Sequence, residues 1–159
     1  MKLFFALSFV FLFSINTFAN EIIVKVSLSP AGSFEAKSLK LKGEVKKIGK
    51  KITADQLWVK IEELKTGIDL RDEHFHKHLN FEKNPKIIFS EVSAENGVGS
   101  GNLTVNEVKK NVKFSYKLIN DKKLEATFKV KPTDFNLKEA RYMEIGVEDE
   151  VVIVATLDV

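Results

Sequence analysis

The sequence predicts an all-β fold: an antiparallel barrel of about eight strands with one short helix at about residues 69–83. Three observations carry this. Apolar residues alternate with polar ones through most of the chain, the period of a strand with one buried face. Turn residues such as Ile48-Gly49-Lys50, Asn96-Gly97 and Asn120-Asp121 divide the runs at short intervals. One segment, DLRDEHFHKHLNFEK, abandons the alternation.

The strands follow in order. In EIIVKVSLSP, Ile22, Val24, Val26 and Leu28 share a face, and Pro30 with Gly32 ends the run. In SLKLKGEVK, Leu39, Leu41 and Val45 alternate with Lys40, Lys42 and Glu44. In DQLWVKIEEL, Leu57, Val59 and Ile61 alternate with Gln56, Trp58, Lys60 and Glu62. KIIFSEVSA is a further strand, and GNLTVN sets Leu103 and Val105 against Asn102 and Thr104. NVKFSYKLIND places Val112, Phe114, Tyr116 and Leu118 on one face. LEATFKVKP does the same with Leu124, Ala126, Phe128 and Val130, and EVVIVATLDV closes the chain. In the exceptional segment Asp69 suits a helix N-cap, and Asp72 and Glu73 suit the positive helix end. Phe75 and Leu79 lie four apart on one face, and Asn84-Pro85 marks the stop. A sheet with one apolar face must cover it. Closure into a barrel does so and removes the edges; a two-sheet sandwich is the alternative.

The N-terminus, MKLFFALSFVFLFSINTFA, has a basic start, an apolar stretch and a small residue at Ala19. That is the pattern of a secretory signal peptide cleaved after Ala19, which leaves one domain over residues 20–159. Without Lys2 the mature charge is 24 minus 22, or +2. There is no cysteine, so neither a disulfide framework nor a lipid-modified N-terminus is expected. After signal removal nothing remains to anchor the chain in a membrane. Lysines that alternate with apolar residues describe a barrel exterior, not a nucleic-acid surface. The only arginines are Arg71 and Arg141.

All three histidines fall in RDEHFHKHL. On a helix His74 and His78 share a face and could chelate a metal with Asp72 or Glu73. No second histidine or cysteine group supports such a site, and the plainer reading is a solvated helix surface. A serine elbow is absent, and GVGSG, residues 97–101, lacks the Lys-Ser/Thr tail and following helix of a phosphate loop. It reads as a hairpin turn and strand start. Neither a cofactor nor a catalytic residue is expected. The inward face is expected to comprise Val24, Val26, Leu28, Leu57, Val59, Ile61, Phe89, Leu103, Phe114, Tyr116 and Phe128, with the Tyr116 hydroxyl as a polar handle. Periodicity does not separate a packed core from a ligand cavity. On the residues alone a filled core is favoured.

LKTGIDLRDEHFHKHLNFEKNPKIIF, followed by GNLTVNEVKKNV, KPTDFNL and VEDEVVIVATL, resembles the YceI-like family of lipocalin-like polyisoprenoid-binding proteins. The resemblance runs in order from about Ser33 to Val159. It is carried by Thr66-Gly67, Arg71-Asp72 with His74, Pro85 with Phe89, Gly101 with Leu103-Thr104, and Asp134-Phe135. It implies a lipocalin-like barrel whose lumen holds an isoprenoid or fatty-acyl lipid. It further implies a periplasmic or secreted location, a capacity in some members to pair as homodimers, and a structural role for Thr66, Gly67, Arg71, Asp72 and His74. His76 and His78 fall outside the motif and are read as local decoration. The chain departs from the family at Asn106-Glu107, where a His-Gly pair is usual, and at Lys131-Pro132-Thr133, where an arginine is common. Two other readings are kept: a ligand-free structural or stress-response barrel with a packed core, and a metal-dependent enzyme using His74 and His78.

Overall fold

The computed structural model describes residues 20–142 and 144–159; the expected signal segment, residues 1–19, lies outside the described residues. The strands are β1 (Glu21–Ser29), β2 (Ser33–Ser38), β3 (Lys46–Ile48), β4 (Lys51–Lys60), β5 (Lys86–Glu95), β6 (Val98–Val105), β7 (Val108–Asn120), β8 (Lys123–Val130), β9 (Arg141–Tyr142) and β10 (Ile145–Asp158). One helix, α1 (Asp69–His78), lies between β4 and β5, and 3₁₀ turns occupy Ile61–Glu63 and Pro132–Phe135. The sheet order is β2-β1-β10-β8-β7-β6-β5-β4-β3, with β9 paired to β10. Every pairing is antiparallel. The result is a curled, lipocalin-like half-barrel.

The strand count exceeds the expected eight for two local reasons. First, β9 is a two-residue addition that folds back on β10. Second, the expected strand around SLKLKGEVK is broken. β2 pairs with β1 and β3 pairs with β4, so the two are halves of one interrupted strand that joins the ends of the sheet. The link is held by reciprocal backbone bonds between Lys37 and Lys65 (2.8 and 2.9 Å) and between Lys42 and Trp58 (2.8 and 2.9 Å). The break begins where the Ser38 hydroxyl accepts the Lys40 amide at 3.0 Å, a local bond that competes with the ladder. Inward parity then slips from Ala36 and Ser38 to Leu41. Leu39, expected inside, is therefore 62% exposed. Gly43, at φ 119°, completes the passage, and a Cβ there would lie 2.3 Å from the Gln56 carbonyl.

The helix is shorter than the expected 69–83 and is entered differently. Ile68 occupies the N-cap position and Asp69 is the first helical residue. It ends at Asn80, which adopts φ 56°. The Asn80 amide donates to the Lys77 carbonyl and the Phe81 amide to that of His76, so the last carbonyls are satisfied before Pro85 is reached. Elsewhere alternation translates directly into burial: Ile22, Val24 and Val26, then Val151, Ile153, Ala155 and Leu157, all face the interior. The face of β7 ends early, and Leu118 is 47% exposed near the β7–β8 turn.

Candidate functional site

The interior of the barrel has two unequal parts. Beside α1 lies a cavity of about 820 Å³. Beyond it, toward the β3–β4, β5–β6 and β7–β8 turns, only about 40 Å³ remains unfilled. The eleven expected lumen residues divide accordingly. Val24, Val26, Leu28 and Leu103 line the large cavity. Leu57, Phe89, Phe114, Tyr116 and Phe128 surround the filled part. Val59 and Ile61 line neither and are packed at 1% and 0% exposure.

Phe34, Phe75, Leu79, Ile87, Val105 and Phe135 also line the large cavity and were not assigned to it by sequence reasoning. Strand periodicity could flag Val105. It could not place Phe75 and Leu79, because a short helix facing a sheet leaves no period-2 signal.

At the boundary between the two parts sit three phenylalanines. Phe89 stacks on Phe128 at 5.6 Å with an interplanar angle of 16°, and meets Phe114 edge-on at 5.9 Å. Their rings lie against the backbone of β6. A Cβ on Gly99 would come within 2.4 Å of the Phe114 ring, and one on Gly101 within 2.8 Å of the Phe89 ring. The glycines read from sequence as turn and strand-start residues thus also make room for aromatic rings.

The Thr66-Gly67 and Arg71-Asp72 elements form one clamp at the start of α1. The Thr66 amide and hydroxyl both donate to Asp72 Oδ1, at 2.7 and 2.6 Å. Arg71 Nη2 returns a bond to the Thr66 carbonyl at 3.0 Å. Gly67, at φ 83°, lets the chain turn between them. Burial alone would raise the Asp72 carboxyl, but the two Thr66 bonds outweigh it and hold the group below the ordinary carboxylate range. The Arg71 guanidinium also lies 4.8 Å from the centre of the Phe34 ring. Its Nε is a buried donor with no protein acceptor among the described residues.

The histidines have three different fates. His74 is exposed and His78 half-buried, and both line the cavity. Burial pushes the His78 imidazole below its ordinary value. His76 corrects the reading as local decoration: it is 7% exposed, with Nε2 2.8 Å from the Leu64 carbonyl oxygen. Its ring sits between Phe75 and Phe81, at 6.1 and 5.9 Å. His76 therefore ties α1 to the segment that links the ends of the sheet. Among the described residues no group of three or more His, Cys, Asp or Glu side chains could hold a metal ion.

The cavity mouth is basic. Arg71, His74, Lys77 and His78 come from α1, and Lys138, Glu139 and Arg141 from the segment leading into β9. Both arginines of the chain are thus at this mouth. Lys77 is engaged by Glu73 at 2.6 Å. Asn106, in the β6–β7 turn, braces the same end. Its Oδ1 accepts from Asn80 and Asn84 at 3.1 and 3.2 Å, and its Nδ2 donates to the Phe135 carbonyl at 3.1 Å. The departure from the usual His-Gly pair thus supplies a local bracket.

A family model described as the YceI-like domain matches residues 14–159. Among solved structures, the fold is similar to a polyisoprenoid-binding domain from Saccharophagus degradans implicated in plant cell wall breakdown. Identity is 12%, TM-score 0.65, and coverage 90% of this chain and 94% of that one. It is also similar to the YceI protein of Campylobacter jejuni, at 18% identity and TM-score 0.57, covering 76% of this chain and 79% of that one. No curated protein matches the chain.

Proposed function

Since the chain belongs to the YceI-like family, we propose that it is an exported carrier that holds one long apolar molecule, isoprenoid or fatty-acyl, in the cavity beside α1. The observation that carries this is the cavity of about 820 Å³ in an otherwise close-packed chain. Its size lies in the range of about 300–1,000 Å³ typical of ligand sites. Strand side chains such as Val24, Val26, Leu103 and Ile153 form its wall. Water would hydrate such a wall poorly, whereas a hydrocarbon chain would cover it.

Each buried methylene contributes about 0.8 kcal/mol. A chain of about 20 carbons therefore gains roughly 16 kcal/mol gross, against association costs of about 4–15 kcal/mol. Hydrocarbon burial alone suffices for useful affinity. The head rests at the mouth, where Arg71 Nε offers an unused donor. The ligand is bound, not converted, and no cofactor or nucleic acid takes part. The sequence of residues 1–19 supports delivery to the periplasm, with Asn20 as the mature N-terminus.

The test is native mass spectrometry of protein recovered from bacterial periplasm. A non-covalent adduct of a few hundred daltons, lost on solvent extraction, is the expected result. A bare mass in every preparation would favour a barrel without ligand. A bound metal ion would favour the histidine-centred enzyme.

A further inference from the structure

Every strand that crosses the interior changes from cavity wall to packed core at the same level. On β5 the change falls between Ile87 and Phe89, on β8 between Val130 and Phe128, and on β10 between Ile153 and Ala155. On β6 it falls where Leu103 gives way to Gly101. At that level stand Phe89, Phe114 and Phe128, in mutual ring contact and pressed against the glycine backbone of β6. We infer that these three rings are the floor of the ligand site and set the length of the chain it accepts. This rests on the carrier reading and adds a size class to it.

The volume sets the limit. At roughly 30 Å³ per carbon, close to the share of one water molecule in the liquid, the 820 Å³ cavity accommodates no more than about 27 carbons. A C40–C50 polyprenyl chain needs about 1,200–1,500 Å³ on the same scale. The 40 Å³ beyond the floor cannot supply the difference. The rings are also poorly placed to yield. Phe128 and Phe114 are 8% exposed, and Gly99 and Gly101 lie too close for the rings to move toward β6. A longer chain must therefore leave its tail in water or displace a stacked pair. The ligand class is a short amphiphile of about C15–C25, such as a sesqui- to sesterterpenoid or a common fatty-acyl chain.

The experiment uses the purified, delipidated protein and three prenols, farnesol (C15), geranylgeraniol (C20) and solanesol (C45), competed in pairs and read by native mass spectrometry. Geranylgeraniol is expected to bind at least about tenfold tighter than solanesol, the cost of roughly two displaced methylenes. Phe114→Ala and Phe128→Ala each open the floor and should shift the solanesol-to-geranylgeraniol ratio toward solanesol by about tenfold or more. Phe114→Leu, which keeps an apolar side chain and tests the same point with less loss of packing, should shift it in the same direction by less. Circular dichroism checks that each variant is folded. Equal binding of C20 and C45 by the unaltered protein, or an unchanged ratio in folded variants, would overturn the floor while leaving the carrier intact. Failure of all three prenols to bind, with fatty acids of C14–C20 also silent, would remove the carrier reading and the floor together.

Discussion

His76 offers the sharpest test of how the mouth is built. It is buried, and its Nε2 lies 2.8 Å from the carbonyl oxygen of Leu64, a residue that is itself fully buried. The carbonyl only accepts, so Nε2 carries the proton in this bond. His76→Ala removes the donor and leaves the Leu64 carbonyl unpaired at a cost of about 1–3 kcal/mol. Lost packing between Phe75 and Phe81 adds about 1 kcal/mol more. The sum, about 2–4 kcal/mol, corresponds to a fall in Tm of roughly 5–15 °C for a chain of this size. His74→Ala, on the exposed flank of the same helix, should stay within about 0.5 kcal/mol. Thermal melts followed by circular dichroism at pH 7.5 measure both. His76→Gln, whose amide can donate to the same carbonyl, should recover part of the loss. If His76→Ala melts within about 1 °C of the unaltered protein, well under the shift expected for 1 kcal/mol, the link from α1 to Leu64 carries no weight and the argument fails.

Three further outcomes can be measured on the same material. Asp72 titrates below the ordinary value of 3.8 in the folded state, so its contribution is complete above that value and is lost as pH falls through the lower folded value. Thr66→Val should lower stability at pH 7 by about 1–3 kcal/mol and flatten the acid limb of a urea-midpoint-against-pH curve. His78 is held neutral by burial, so its cost is absent above 6.5 and grows as pH falls through its depressed folded value. His78→Gln should therefore make stability less steep below pH 6.5, and an unchanged slope would contradict the burial argument. Gly99→Ala places a Cβ 2.4 Å from the Phe114 ring and 2.6 Å from the Ala94 Cβ. Overpacking of this kind should cost about 1–3 kcal/mol in a denaturant titration.

The fold was largely legible in the sequence because strand burial here has one rule. Where side chains alternate without interruption, as in Ile22 to Val26 or Leu124 to Phe128, inward residues follow from parity. The errors occur where a local bond resets parity or competes for the backbone. Ser38 does this at Leu39, and the left-handed Asn80 does it at the helix end, four residues before the expected stop. The site was less legible. Phe114 and Val26 sit on equivalent inward positions, yet one belongs to the packed part and the other to the cavity. That distinction depends on position along the barrel axis and on the β6 glycines opposite, neither of which a single strand encodes. His76 was misread because its partner is a backbone carbonyl twelve residues away, which leaves no trace in side-chain pattern.

The first strand pairs with the last. Glu21 is opposite Thr156 and Val26 is opposite Val151, a separation of nearly the whole described chain. Hairpins such as β5–β6 and β7–β8 can form from neighbouring residues, but β1 must wait until β10 exists. Loop-closure entropy is spent on this contact before it returns any stabilisation, which makes late, slow closure the expected kinetic signature. During synthesis the amino-terminal strand has no partner on its β10 edge. A chain in that condition stays threadable until its final residues appear. Premature collapse is discouraged by wiring order alone, and the same wiring makes the completed barrel a single cooperative object that neither terminus can leave without opening the wall.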